Sequence, residues 1–288
     1  MNFERFTEEM KKRMEEAHPD VTVQLGTVKK NNGKQLACLH VGNAVHGSIC
    51  PCLYLDELFH EDMSEEDMNN AFSVLQNAYS EALKSAPHVV DIGDVTCMQE
   101  NIFFHLVNAD RNKELLETHP HIIWEDLAIV FRCRVPSDDQ ECASFLIGEH
   151  IMNLWGMTVE DLLENAKENT PRIFPYKLSS LADVLNFPVE DTDIPIYVAT
   201  NRLGINGANV LLYDDVLQEF AEKCGTSFYV LPSSIHEVLF VPDCNDEQSA
   251  DFLSEMVKDV NANVVSLDEI LSDNVYYYNK ELSKLKIA

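Results

Sequence analysis

"VTVQLGTVKKNNGKQLACLHVG", residues 21–42, alternates along its first eight positions, breaks at "KKNNGKQ", and takes up a second apolar run at Leu36. A period of two puts successive side chains on opposite faces of a strand. Asn-Gly between two such runs favours a tight reversal. The stretch therefore reads as a hairpin, whose two strands pair antiparallel.

Upstream, Phe3, Phe6, Met10 and Met14 recur at helical spacing until Pro19 stops them. Downstream, "CLYLDELF" leads to a helix that starts at Ser64 and runs through Phe72, Leu75 and Leu83 to Pro87. Residues 95–147 read as a strand "NIFFHLVN", a short helix "DRNKELLE", and two strands, "EDLAIVFRCRV" and "CASFLI". "MTVEDLLENAKENTP" is a helix closed by Pro171, and "SSLADVLNF" follows it. The stretch "NFPVEDTDIP", 186–195, carries two prolines among acids and is the best linker signal in the chain. Beyond it lie "IYVAT", a turn "NRLGINGA", "NVLLY", a helix "DDVLQEFAEKCG", "SFYVL" and "EVLFV". A helix over 246–260, a short one after Ser266, and "NVYYYN" complete the pattern. Strands and helices mix without strict alternation, which predicts an α+β fold with mixed or mainly antiparallel sheets and flanking helices. The linker suggests two sub-lobes, 1–187 and 188–288, unless one continuous domain spans both.

Forty-nine Asp and Glu against 21 Lys and Arg leave a net charge of −28. Residues 1–144 hold −13 of it and residues 145–288 hold −15, so no acidic tail explains the excess. A field of that sign repels phosphate backbones and anionic lipid heads. It argues against direct nucleic-acid or membrane binding; acidic solubility is the ordinary reading of such a charge, and a basic protein as partner, or imitation of nucleic acid, is the sharper one. The opening "MNFERFTEEMKKRMEEAHPD" is a charged amphipathic helix without the apolar core of a signal peptide. No apolar run reaches the ~20 residues of a spanning helix. The cytoplasm is the expected compartment, and there the eight cysteines stay reduced.

"YVLPSSIHEVLFVPD", 229–243, sets Ser233, Ser234, His236 and Glu237 between two apolar runs. A nucleophile, its base and the group that orients the base must converge. His236 and Glu237 are adjacent, so on a strand or a helix they diverge. No G-x-S-x-G elbow surrounds either serine. Ser234 to Glu237 has the capping-box form that recurs at Ser64–Asp67, Thr158–Asp161 and Ser266–Glu269. The segment thus reads first as a one-turn corner, with Ser234 and His236 as the catalytic candidates if there is catalysis. "CLHVGNAVHGSICPC", 38–52, packs Cys38, His40, His46, Cys50 and Cys52 together, and such ligands suit zinc. Cys38 and His40 share a strand face. The spacing is poor, however, because Cys-Pro-Cys is not a C-x2-C knuckle and no second pair answers it. No metal and no cofactor are expected. Phosphate-loop and H-E-x-x-H motifs are missing from the sequence.

Four fragments together, "NKELLETHPHIIWEDLAIVFRC", "LWGMTVEDLLENAKENTPRIFP", "NGANVLLYDDVLQEFAEKCGTSFYVLPSSIHEVLFVP" and "LSDNVYYYN", resemble a large family of uncharacterised proteins. That family is classed as a domain of unknown function and occurs mostly in Gram-positive gut anaerobes. The likeness covers roughly residues 1 to 280. It implies an intracellular protein with no assigned activity, cofactor or catalytic residue. It also matches polar positions at element ends, where binding groups usually sit. These are Asn169, Thr170 and Arg172; Asn206; Ser233, Ser234, His236 and Glu237; and Asp273 and Asn274. Members often show "ISPxIYL" where this chain has Ile49 to Leu55, and the departures at Cys50 and Cys52 weigh against a metal.

The function expected from all this is a non-enzymatic cytoplasmic binding protein whose acidic surface meets a basic partner, linked to mobile elements or to toxin neutralisation. The alternative is a hydrolase whose polar cleft gathers Ser234, His236, Asn169 and Arg172.

Overall fold

The computed structural model describes residues 1–42, 51–84, 95–135, 144–185, 195–232, 234–243 and 250–288. Among the sequence candidates, His46, Cys50 and Ser233 lie outside the described residues. Two compact units emerge, the first drawn from Met1–Asp91 and the second mainly from Ile92–Val135 and Ser144–Ala288. The expected boundary at 187/188 falls in 186–194, also outside the described residues, while the strands on its two sides pair within the second unit.

In the first unit, α1 (Phe3–Ala17) starts where Asn2 accepts the main-chain N–H of Arg5. Then come β1 (Val23–Lys29), β2 (Gln35–Val41), β3 (Cys52–Tyr54) and α2 (Glu65–Lys84). The expected hairpin is present, with Val23 opposite Val41 and Lys29 opposite Gln35. Asn32 and Gly33 turn it with φ of 56° and 73°, the left-handed region that Asn and Gly tolerate best. β3 adds antiparallel to β2. Alternation then sorts the sheet. Val23, Leu39, Val41 and Leu53 join Phe6, Met10, Met14, Met68, Leu75 and Tyr79 in one core. Gly26, Cys38, His40 and Cys52 occupy the opposite parity on the paired strands. The capping box at Ser64 forms as predicted: Ser64 accepts from Asp67 N–H at 3.2 Å and Asp67 accepts from Ser64 N–H at 2.8 Å.

The second unit opens with α3 (Val95–Met98), β4 (Ile102–Asn108), α4 (Lys113–Leu116), β5 (His121–Trp124), β6 (Leu127–Arg134) and β7 (Ser144–Leu146). It continues through α5 (Glu149–Trp155), α6 (Val159–Ile173), β8 (Tyr176–Ser180), α7 (Leu181–Leu185) and β9 (Tyr197–Asn201). Last come α8 (Val216–Cys224), β10 (Phe228–Leu231), β11 (Val238–Pro242), α9 (Ala250–Asn263), β12 (Tyr276–Asn279) and β13 (Lys284–Ile287). One sheet pairs β4 with β6 and β6 with β5 and β7; the other runs β13-β12-β10-β11-β9-β8. Every described ladder is antiparallel, so the α+β expectation holds.

Alternation also gives the six-stranded sheet two apolar faces. Phe220 of α8 meets Phe228 at 4.7 Å and Phe240 at 4.9 Å between ring centroids, contacts worth about 0.5–1.5 kcal/mol each beyond burial. On the other parity, Leu231, Val241 and Val275 pack with Leu253 and Val257 of α9.

Four local expectations change. A left-handed Glu125, φ 55°, reverses the chain between Trp124 and Leu127, which makes "HIIW" a separate strand, β5. The apolar run "NVLLY" is no strand, because Gly207–Leu212 coils into a 3-10 helix. Helix α6 continues through Pro171 to Ile173; Pro171 lacks the N–H for the usual bond, and Thr170 hydroxyl donates to Ala166 O beside it. After Ser266 the chain makes only a turn, with Ser266 Oγ donating to Asp268.

Candidate functional site

The corner between β10 and β11, described at residues 232 and 234–237, follows a ladder in which Leu231 stands opposite Leu239. Ser234 accepts the main-chain N–H of His236 at 3.0 Å instead of bonding its ring. His236 O takes the Thr200 hydroxyl at 2.7 Å, and Ile235 exchanges main-chain bonds with Glu269 and Ala208. Asn206, left-handed at φ 52°, donates its N–H to His236 Nδ1 at 3.2 Å. Gly207 follows because a Cβ there would run into Thr200 Oγ1 and His236 O. The structure thus brings Asn206, Ser234 and His236 together, as the sequence candidates require for a site.

Their chemistry runs the other way. An imidazole that accepts a hydrogen bond at Nδ1 carries its proton on Nε2. Here Nε2 faces Glu269 Oε1 at 3.7 Å. Neither ring nitrogen then offers a free lone pair to a nucleophile, which a general base must do. The corner holds two strands and the 207–212 helix in register.

The remaining candidates serve the β4 edge and the 271–274 segment. Asn169 donates to Gln99 O and Ile102 O at 2.8 and 3.0 Å, and Thr170 accepts Phe104 N–H. Arg172 donates to Glu100 O and to Asn169 Oδ1. Asn209 does what a neighbouring strand would do: Oδ1 accepts Leu106 N–H at 3.0 Å and Nδ2 donates to Phe104 O at 2.8 Å. It was not a sequence candidate, and only its place inside an apolar run hinted at a buried partner. Asp273 pairs with Arg111 at 2.8 Å and accepts from Asn261 at 2.9 Å. Burial pushes its carboxyl up, but those two donors outweigh it and hold it below the ordinary range. Asn274 donates to Asp126 at 3.0 Å, and the Ser272 and Tyr276 hydroxyls meet the same carboxylate. Burial, then the Asp126 charge, raises the Tyr276 phenol.

In the first unit, register alone assembles a different chemistry. His40 lies opposite Cys52, and Cys38 is two residues away on the same face. Cys38 Sγ is 3.5 Å from His40 Nε2, and Cys52 Sγ is 3.7 Å from His40 Nδ1. One ligand atom from each residue lies within 4.8 Å of the others. Cys38 is buried, the other two half-buried. Burial and the Cys38 thiol push Cys52 up to about 12.

Fold and site together define an α+β protein with antiparallel sheets, an occupied histidine corner and a compact Cys-His-Cys cluster. Over residues 3–280 the chain matches, and belongs to, a family of unknown function, DUF5688. No curated protein and no solved structure matches it. No helix among the described residues is long and apolar enough to cross a membrane.

Proposed function

We propose that the protein works in the cytoplasm by binding a basic protein partner, and not by catalysis. The observation that supports this is a repeated charge stripe on two helices of the second unit. Glu160, Glu164 and Glu168 lie at i, i+4 and i+8 on α6, and Asp251, Glu255 and Asp259 lie likewise on α9; all six are exposed. Like charges four apart oppose each other by about 0.2–0.5 kcal/mol per pair. Lys167 and Lys258, three residues after Glu164 and Glu255, offset part of that cost, and a cationic partner would relieve the remainder. Phe252 and Met256, 55% and 43% exposed, stand among the α9 acids. Aromatic and Met side chains are the types enriched in interface cores.

Beyond residue 91 the chain carries 34 acids against 13 Lys and Arg. Arg111, Lys113 and Lys286 pair internally with Asp273, Asp110 and Glu125. Arg132 and Arg172 hydrogen-bond within the fold. The net field is therefore poorly compensated, and it favours fast encounter with cations at low salt.

The test immobilises the full chain, challenges it with a soluble lysate at low salt, and elutes with high salt. A Lys/Arg-rich protein is expected in the eluate, and it should be lost when Asp251→Lys and Glu255→Lys are combined in a chain whose melting temperature is unchanged. A reversed variant that holds the same protein equally well, or an eluate without any basic protein, refutes the reading.

A further inference from the structure

We propose that the first unit binds a zinc ion through Cys38, His40 and Cys52. This site is independent of the acidic stripes, which lie in the second unit. Two thiolates and an imidazole form a soft donor set that favours zinc over magnesium or calcium. The two thiolate charges also cancel the charge of a divalent ion, so the loaded site would be neutral where one ligand is buried. An unpaired buried charge would be expensive there.

The geometry is close to what the ion needs. Zinc bonds of about 2.3 Å to sulfur and 2.0 Å to nitrogen imply ligand separations of roughly 3.5–3.8 Å in a tetrahedron. Cys38 Sγ and His40 Nε2 already stand 3.5 Å apart. The 4.8 Å bound on the whole set leaves at most about an ångström to close, which a thiol rotation supplies. The ring is also seated by the backbone. Gly26 lies opposite Cys38, and a Cβ at that position would come within 2.6 Å of His40 Cδ2 and Nε2. With no side chain at 26, the imidazole has room against β1, with Cys38 Sγ near Nε2 and Cys52 Sγ near Nδ1, and one of the two nitrogens would take the ion.

As a hydrogen-bond network the same cluster would be weak, since thiols are poor donors and poor acceptors. As a ligand set it is complete in three corners and leaves one coordination position for water or another small ligand. Binding would displace thiol protons, which is the usual coupling of metal affinity to pH.

The experiment is a cobalt(II) titration of the full chain under phosphine reductant, with zinc competition. One equivalent should produce a thiolate-to-cobalt charge-transfer band and tetrahedral ligand-field absorption, both bleached by zinc. Cys52→Ser should weaken cobalt binding by more than about 10-fold, beyond the lower end of what losing an outer-shell partner costs. His40→Gln should act in the same direction, and both residues are only half-buried, so the chain should still fold. Cys133→Ser, in the second unit, should bind as the parent does. No charge-transfer band, a band that survives Cys52→Ser, or a Cys38–Cys52 disulfide as the stable form of the purified chain would overturn the assignment.

Discussion

Replace His105 by leucine and compare the pH dependence of unfolding with that of the parent chain. His105 is buried within β4, and its Nδ1 finds no hydrogen-bond partner among the described residues. Burial first, then the nearby Arg132 and His236 charges, pulls its pKa down to about 3. In the unfolded chain the value returns to about 6.5. A histidine depressed in the folded state takes its proton first in the unfolded state. Its share of stability is therefore complete above pH ~6.5 and drains away as the pH falls toward the folded value. Between pH 7 and pH 5 the linkage relation gives a loss of about 2 kcal/mol from this one group. The assay is urea unfolding followed by tryptophan fluorescence. The only two tryptophans, Trp124 and Trp155, both belong to the second unit, so the signal reports on the unit that holds His105. Carboxylates titrate in both proteins and cancel in the comparison. The parent should lose about 2 kcal/mol more than His105→Leu over that pH step. At pH 7 the variant should match or exceed the parent, because an unpartnered buried nitrogen has been removed. Equal losses, within about 0.5 kcal/mol, would refute the reasoning and mean that the folded chain stabilises the charged ring.

Gly207→Ala should drive a methyl group into Thr200 and the His236 carbonyl. The expected cost is about 2–3 kcal/mol, read as a melting temperature lower by roughly 5–10 °C; an unchanged melt would mean that the corner can open without penalty. Asn209→Ala should strand Leu106 N–H and Phe104 C=O in the interior, with about 1–3 kcal/mol for each. Hydrogen exchange at the Leu106 amide should speed up more than at amides of β6, and equal protection in parent and variant would show that another group covers the β4 edge.

The part of the fold that was legible in the sequence is the part governed by local chemistry. Alternation around Asn32-Gly33 fixed the first hairpin, and Ser64 with Asp67 and Thr158 with Asp161 marked two helix starts that the structure repeats. Where sequence failed, a distant partner had overridden a local pattern. Asn209 sits in an apolar run that looks like a strand, yet its amide closes the edge of β4 more than a hundred residues away. Helix α6 runs past Pro171 while Thr170 accepts Phe104 N–H and Asn169 donates to Gln99 O and Ile102 O, contacts about 70 residues away that no local pattern announces. His105 is hidden in "NIFFHLVN" because one imidazole barely disturbs the hydropathy of seven buried positions.

The candidate residues divide along the same line. Spacing rules for metal sites describe ligands carried by a knuckle or a helix, where sequence separation sets distance. On a sheet, distance is set by register, and register is not written in any short motif. Cys38 and His40 could be placed on one face from their spacing, but Cys52 could be brought opposite His40 only by the β2–β3 pairing. Ser234, His236 and Glu237 show the converse. They are neighbours in sequence and suggest a site for that reason, yet each main-chain and ring bond found at Ser234 and His236 is one that a tight corner needs. Adjacent polar residues at a strand reversal are therefore weak grounds for catalysis, and two thiols and an imidazole gathered by one strand pairing are the stronger signal of chemistry in this chain.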